Sequence, residues 1–183
     1  MWYAMYKHIF DGPLVSLEEM LKARENRANI QRQLLSSNKH ASLLVVTMNI
    51  PGPVKYSSDL AEIFHHMIEE VDDELNQNVI LVSRLLELPT GMEYYLLIDT
   101  PAVELKEIMI ELESKHSYGR LFDLDVVVWK DNLPYPISRQ DLGYPSRHCL
   151  ICQEDAKVCG RSRRHDIQEI QQKICEIVQL EKE

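Results

Sequence analysis

Asp123 and Asp125 stand two residues apart in the run His116-Ser-Tyr-Gly-Arg-Leu-Phe-Asp-Leu-Asp-Val-Val-Val-Trp129. Phe122, Leu124, Val126 and Val128 alternate with Leu121, Asp123, Asp125, Val127 and Trp129. That alternation predicts a β-strand with successive side chains on opposite faces. One face is wholly apolar, and the other holds both carboxylates on the same side, close enough to bind one divalent cation together. Acids on an otherwise apolar strand bear a desolvation cost that calls for a compensating partner. Magnesium is the usual one, because it takes one or two carboxylates and keeps positions for substrate phosphates. The competing reading makes Asp123 and Asp125 ordinary acids on a solvated outer face. Gly119, which lets backbone approach a ligand, and Arg120, which suits a phosphate, favour the site.

Further cations lie along the chain. Lys55 ends the rigid turn Asn49-Ile-Pro-Gly-Pro-Val-Lys55, a candidate substrate loop or a plain connection. Arg161, Arg163, Arg164 and His165 form the densest positive cluster. With Arg139 and Arg147 upstream they could gather around a polyphosphate, where guanidinium forks match phosphate oxygens, or they could be a solvated helix start. Cys149-x-x-Cys152, then Cys159, then His165 has a spacing that could bind zinc through three thiolates and an imidazole. Paired Cys-x-x-Cys knuckles are lacking, and small buried cysteines in a compact turn are the favoured reading.

The elements that must position these residues are partly legible. Ser16 and Glu19 make a capping box, so a helix should run from Leu17 to about Leu35. Its core face would carry Leu17, Met20, Leu21, Arg24, Ala28, Gln31 and Leu35, with Arg24 and Gln31 either snorkelling to the edge or pointing into a site. Leu43 to Met48 predicts a buried strand. Ser57 or Ser58 should cap a helix with Leu60, Ile63, Phe64, Met67, Ile68, Val71 and Leu75 inward, leaving His65 and His66 at the surface or core edge. Val79 to Leu86 and Glu93 to Asp99 read as strands. Thr100 should cap a third helix with Pro101 at its first position and Leu105, Ile108, Met109 and Leu112 inward. Asp131 to Pro136 reads as a loop. Asp166 and Glu169 then cap a last helix whose face is Ile167, Ile170, Ile174 and Val178. This order predicts one α+β domain, a mixed sheet covered by helices. Residues 1–11 would be an N-terminal extension, and 147–183 a Cys/Arg-rich turn plus a C-terminal helix.

Composition narrows the function classes. The 183 residues can bury a sizeable core. No run of about 18 apolar residues predicts a membrane helix, and Met1 to Phe10 lack the features of a signal peptide, so a cytoplasmic location is expected. The net charge of -9 argues against general nucleic-acid affinity. A polyanionic small substrate could still bind where basic residues cluster. Cys149, Cys152 and Cys159 bunch while Cys175 stands apart, which suits a reducing compartment.

The chain resembles the CitX family, the holo-citrate lyase synthases. The matching blocks are Ser16-Leu-Glu-Glu-Met-Leu-x-Ala23-Arg24-Glu25-x-Arg27 followed by Gln31, Asn49 to Lys55, and Gly119-Arg-Leu-Phe-Asp-Leu-Asp-Val126. Ile137-Ser-Arg139-x-Asp-Leu-Gly143, Arg147-x-Cys-Leu-x-Cys152 and Ala156-x-x-Cys159-x-Arg161-x-Arg163-x-His165 complete the set. They follow in order from Ser16 onward, and the ordered set is more specific than any one block. The resemblance implies transfer of a prosthetic group from 2'-(5''-triphosphoribosyl)-3'-dephospho-CoA to a serine of the acyl carrier protein, the gamma subunit of citrate lyase, with loss of pyrophosphate. On that reading Asp123 and Asp125 hold Mg²⁺ on the donor triphosphate, and either could draw the proton from the serine. Arg24, Lys55, Arg120, Arg139, Arg147 and Arg161 are the candidates to bind the donor. The Asp-x-Asp strand is also similar to that of polymerase-β-type nucleotidyltransferases, although the Gly-Ser pair those enzymes carry about ten residues earlier is absent. Two other readings stand beside the transferase: a non-catalytic adaptor or chaperone for the carrier subunit, and a metal-dependent hydrolase of the donor.

Overall fold

The computed structural model describes residues 9–180; Met1 to His8 of the N-terminal extension lie outside them. The elements are α1 (Leu17–Ser37), β1 (Ser42–Met48), α2 (Ser58–Glu74), β2 (Ile80–Leu86), β3 (Glu93–Ile98), α3 (Ala102–Lys115), β4 (Phe122–Lys130), β5 (Leu133–Ile137), α4 (Ala156–Ser162) and α5 (Ile167–Leu180). The α+β sheet covered by helices expected from the sequence is present, and it has the order β2-β3-β1-β4-β5. Every strand junction is antiparallel. From β1 to β4 the chain follows a β-α-β-β-α-β path, the split βαβ arrangement, and β5 is added as a hairpin.

The period-two alternation of the strands sorts their side chains onto two cores. Leu44 and Val46 of β1, Tyr94 and Leu96 of β3, and Phe122, Leu124 and Val126 of β4 share one core with α2 and α3. The apolar row of α2 is buried there as its spacing predicts, and Ser57 is its cap. Leu43, Val45, Tyr95, Leu97 and Val127 form a second core on the other face, closed by Leu35, Ile30 and Leu34 of α1.

Helix α1 starts at the predicted capping box but turns a different side inward. Leu17, Leu21, Arg24 and Ala28 are exposed, Met20 and Gln31 are half-buried, Leu35 is buried as expected, and Ala23, Arg27, Ile30 and Leu34 complete the inward stripe. Arg27 explains the shift: its Nε and Nη2 donate to Oε1 of buried Glu93 at 3.0 and 2.7 Å, which fixes the rotation of the helix on the sheet. Two other expectations are corrected. Thr100 does not cap α3; Pro101 holds that position without a side-chain bond. Thr100 Oγ1 instead accepts from Asn78 Nδ2 at 2.7 Å. The segment Asp131 to Pro136 is not a loop but a two-residue turn leading into β5. Asp131 and Asn132 take φ of 51° and 64°, the left-handed pair of a type I′ hairpin. The edge position of β5 tolerates Pro134 and Pro136.

Candidate active site

The strand pairings set the geometry of the acid patch. On β4, Asp123 faces Thr47 and Asp125 faces Val45; on the far side of β1, Glu93 faces Thr47 and Tyr95 faces Val45. Directly paired residues project to one face. Asp123, Asp125, Thr47 and Glu93 therefore share the face on which α1 lies. Glu93 is not a free ligand, because Arg27 occupies Oε1 and the Tyr95 hydroxyl donates to Oε2. Asp125 is exposed and makes no hydrogen bond or ion pair among the described residues.

β5 pairs with β4 only from Val126 onward, so the outer edge of β4 is open at Phe122 and Leu124. Unpaired backbone groups at a half-buried edge need partners, and side chains supply them. Lys106 Nζ donates to Leu124 O at 2.8 Å, Leu124 N–H donates to Glu113 Oε1 at 3.2 Å, and Arg147 Nη1 donates to Phe122 O at 2.8 Å. Lys106 and Glu113 are both buried charges on α3. Glu113 is held by the Arg147 guanidinium, with Arg139 Nη2 at 4.0 Å.

Arg147 joins this edge to the acid patch. Its Nη1 also donates to Asp123 Oδ1 at 3.1 Å. Burial pushes the Asp123 carboxyl above the ordinary carboxylate range, and the Arg147 charge opposes that rise. Arg120 donates to His148 O, and burial together with the nearby Arg147 and Arg139 charges lowers its guanidinium. The sequence candidates Asp123, Asp125, Arg120, Arg139 and Arg147 are thus one cluster at the open end of β4. Arg139 Nε is buried without a hydrogen-bond partner among the described residues, so this cluster holds unspent donor capacity.

Lys55 and Arg24 form a second basic group. Lys55 donates to Ile50 O, and burial followed by the Arg24 charge pushes its ammonium below the ordinary lysine value. The start of α1 is tied to this turn by the Val15 N–H bond to Pro53 O at 2.8 Å. Arg161 belongs to neither group; it is exposed on α4 and makes no ion pair among the described residues.

Gly119 has a packing role. A Cβ there would lie 2.2 Å from Glu113 O. The residue is needed for the 3-10 turn Ser117–Leu121 to pack on the end of α3. Sequence reasoning missed Lys106, Glu113, Arg27 and Glu93. The available signal was charge within an otherwise apolar stripe: Lys106 and Glu113 share a face of α3 with Met109 and Ile110.

The donor set fits a hard cation. Two carboxylates two residues apart on one strand face, one exposed and the other holding a single arginine bond, match the usual protein share of a magnesium site. No third carboxylate joins them; the groups of three or more convergent His, Cys, Asp or Glu donors among the described residues lie elsewhere, at Cys149/Cys152/Cys159/His165 and His66/Glu70/His116. No described helix is long and apolar enough to cross a membrane.

Fold and site together define an α+β protein with a carboxylate pair at the open end of β4, Asp123 bonded to Arg147 and Arg120 and Arg139 close to that arginine. Residues 15–180 match the family CitX, described as apo-citrate lyase phosphoribosyl-dephospho-CoA transferase. A Streptococcus pyogenes serotype M18 protein named "Probable apo-citrate lyase phosphoribosyl-dephospho-CoA transferase" is 46% identical over 169 residues, 92% of this chain and 88% of that protein. A Vibrio cholerae protein of the same name is 36% identical over 168 residues, 89% of this chain and 91% of that protein. Protein CitXG of Haemophilus influenzae is 39% identical over 171 residues, 92% of this chain and 36% of that longer protein. The chain belongs to the CitX family of transferases.

Proposed function

We propose that this chain attaches the prosthetic group of citrate lyase. The donor is 2'-(5''-triphosphoribosyl)-3'-dephospho-CoA and the acceptor is a serine of the apo acyl carrier protein, the gamma subunit. The observation that carries the reading is the cluster of Asp123 and Asp125 with Arg120, Arg139 and Arg147 in a chain of this family. The serine Oγ forms a bond to the α-phosphorus of the 5''-triphosphate, and the bond from that phosphorus to the bridging oxygen breaks, releasing pyrophosphate. Such transfers depend mainly on positioning and charge neutralisation.

The residues divide these tasks. Arg139 and Arg147 present guanidinium groups at the acid-patch end of β4, and the Nε of Arg139, without a hydrogen-bond partner among the described residues, is a donor for a phosphate oxygen. Arg120 adds charge at the same edge. Lys55 and Arg24, on the α1 side, meet the donor at a second point, and Arg161 contributes an exposed charge on α4. Asp125, whose side chain makes no hydrogen bond or ion pair among the described residues, accepts the serine proton. Asp123 and Asp125 would hold Mg²⁺, which when bound supplies positive charge against the triphosphate.

Intact mass of the apo carrier subunit after incubation with this protein, the donor and Mg²⁺ tests the reading. The expected result is a gain equal to the phosphoribosyl-dephospho-CoA group. Carrier binding without a mass gain would overturn it in favour of the adaptor, and donor breakdown without carrier modification would favour a hydrolase.

A further inference from the structure

We propose that Cys149, Cys152, Cys159 and His165 form a closed structural zinc site that holds in place the segment carrying Arg147. Their sulfur and ring-nitrogen atoms all lie within 4.8 Å of one another. Cys152 Sγ is 3.3 Å from His165 Nε2 and 4.0 Å from Cys159 Sγ. Tetrahedral zinc with bonds of about 2.3 Å to sulfur and about 2.0 Å to nitrogen sets S···S at about 3.8 Å and S···N at about 3.5 Å. The Cys152–Cys159 and Cys152–His165 separations lie about 0.2 Å from those values. All three cysteines are free thiols, and a disulfide between any two would leave the third and the imidazole without a purpose.

The local backbone builds a ligand loop. Cys149 N–H donates to Glu154 O and Ala156 N–H donates to Arg147 O, both at 2.8 Å, closing a small hairpin around the Cys-x-x-Cys turn. Ile151 N–H points at Cys149 Sγ at 3.4 Å, a contact that suits a thiolate acceptor. Asp155 caps α4 through Lys157 N and Val158 N at 2.8 and 3.0 Å, which brings Cys159 round to the turn. His165 Nδ1, turned away from the sulfurs, has Glu169 Oε2 at 3.8 Å, an acid on the side where ligating imidazoles commonly have a carboxylate partner, though beyond hydrogen-bond reach.

Packing does not explain this order. From residue 143 to residue 166 Cys159 is the only fully buried residue and Leu150 is a partly buried side chain against the main core, while Ile151 and Val158 face solvent. Ordering each residue costs about 1–2 kcal/mol, and the burial of Cys159 and part of Leu150 offsets only a fraction of that over the stretch. A thiolate-rich set of four protein donors selects a borderline-soft ion over magnesium and leaves no open position, so the site is structural rather than catalytic. The consequence reaches the acid patch, because the same segment gives Arg147 to Glu113 and Asp123 and the His148 carbonyl to Arg120.

The test is elemental analysis of the full chain purified without chelator, followed by replacement with Co²⁺. One zinc per chain is expected, and the cobalt form should show thiolate-to-metal charge-transfer absorption with the visible bands of a tetrahedral sulfur-rich site. Cys152→Ser and Cys159→Ser should each weaken Zn²⁺ binding at least about 100-fold, while Cys175→Ala, outside the cluster, keeps full stoichiometry. Wild-type chain that holds no zinc after purification and after reconstitution, and shows no cobalt–thiolate absorption, overturns the proposal whether or not the variants fold. Neither readout depends on carrier modification.

Discussion

Arg147, from the segment after β5, pairs with Glu113 on α3, a carboxylate whose side chain is only 5% exposed. Removing one partner of a buried pair leaves an uncompensated charge, which typically costs about 3–5 kcal/mol. Arg147→Ala should therefore lose about 3 kcal/mol, with Arg139 and Lys106 limiting the damage. Chemical denaturation checks it. Arg147→Lys should restore part of the stability but not the simultaneous bonds to Phe122 O, Asp123 and Glu113, because an ammonium lacks the planar fork.

Asp125→Asn should separate chemistry from folding. The side chain is exposed and makes no bond among the described residues, so the denaturation midpoint should not move. Transfer to the carrier should fall on the order of 10²–10⁴-fold. Full activity in this variant would remove Asp125 from the mechanism.

Gly119→Ala should destabilise by about 3 kcal/mol through overpacking, since the added Cβ meets backbone, with Glu113 O at 2.2 Å and Glu113 Cα at 2.8 Å. Because Glu113 anchors Arg147, turnover should drop as well. Gly160→Ala is the contrast: a Cβ there meets nothing within 4 Å, and a helical alanine is favoured, so thermal unfolding should be unchanged or slightly later.

Tyr94 gives the protein an alkaline limit. Burial raises its phenol from 10.0 to about 12, and its hydroxyl donates to Asp72 Oδ1 at 2.9 Å. Between these values the folded chain keeps a proton that the unfolded chain loses, so stability falls as pH rises through the window. The loss should begin near pH 10 and be complete near pH 12. In Tyr94→Phe the slope of midpoint against pH should be shallower; an unchanged slope would refute the assignment.

Local rules made much of this fold legible. The Ser16/Glu19 box fixed the start of α1, the stripe from Leu60 to Leu75 defined α2, and the alternation at Phe122 to Trp129 placed both aspartates on one face of β4. What stayed hidden depended on distant partners. The buried stripe of α1 follows Arg27, whose partner Glu93 is 66 residues away. β5 was masked by Pro134 and Pro136, although Asp131-Asn132 is a good turn pair for φ > 0. Lys106 and Glu113 look like misplaced charges until the unpaired edge of β4 shows what they bond. The arginine cluster was partly visible from composition, but only the fold separates Arg120, Arg139 and Arg147 from Arg161.

The acid strand and Glu113 precede Arg147 in the chain, and this order bears on how the protein is made. During synthesis from the N-terminus, the sheet can pair up to β4 while Glu113 still lacks its guanidinium. The segment that completes the site emerges after the strands and helix it completes. A product ending before Arg147 would carry the acid patch with Glu113 buried beside it and short of its main cation, and quality-control proteases would meet it as a loosened domain rather than a shortened protein.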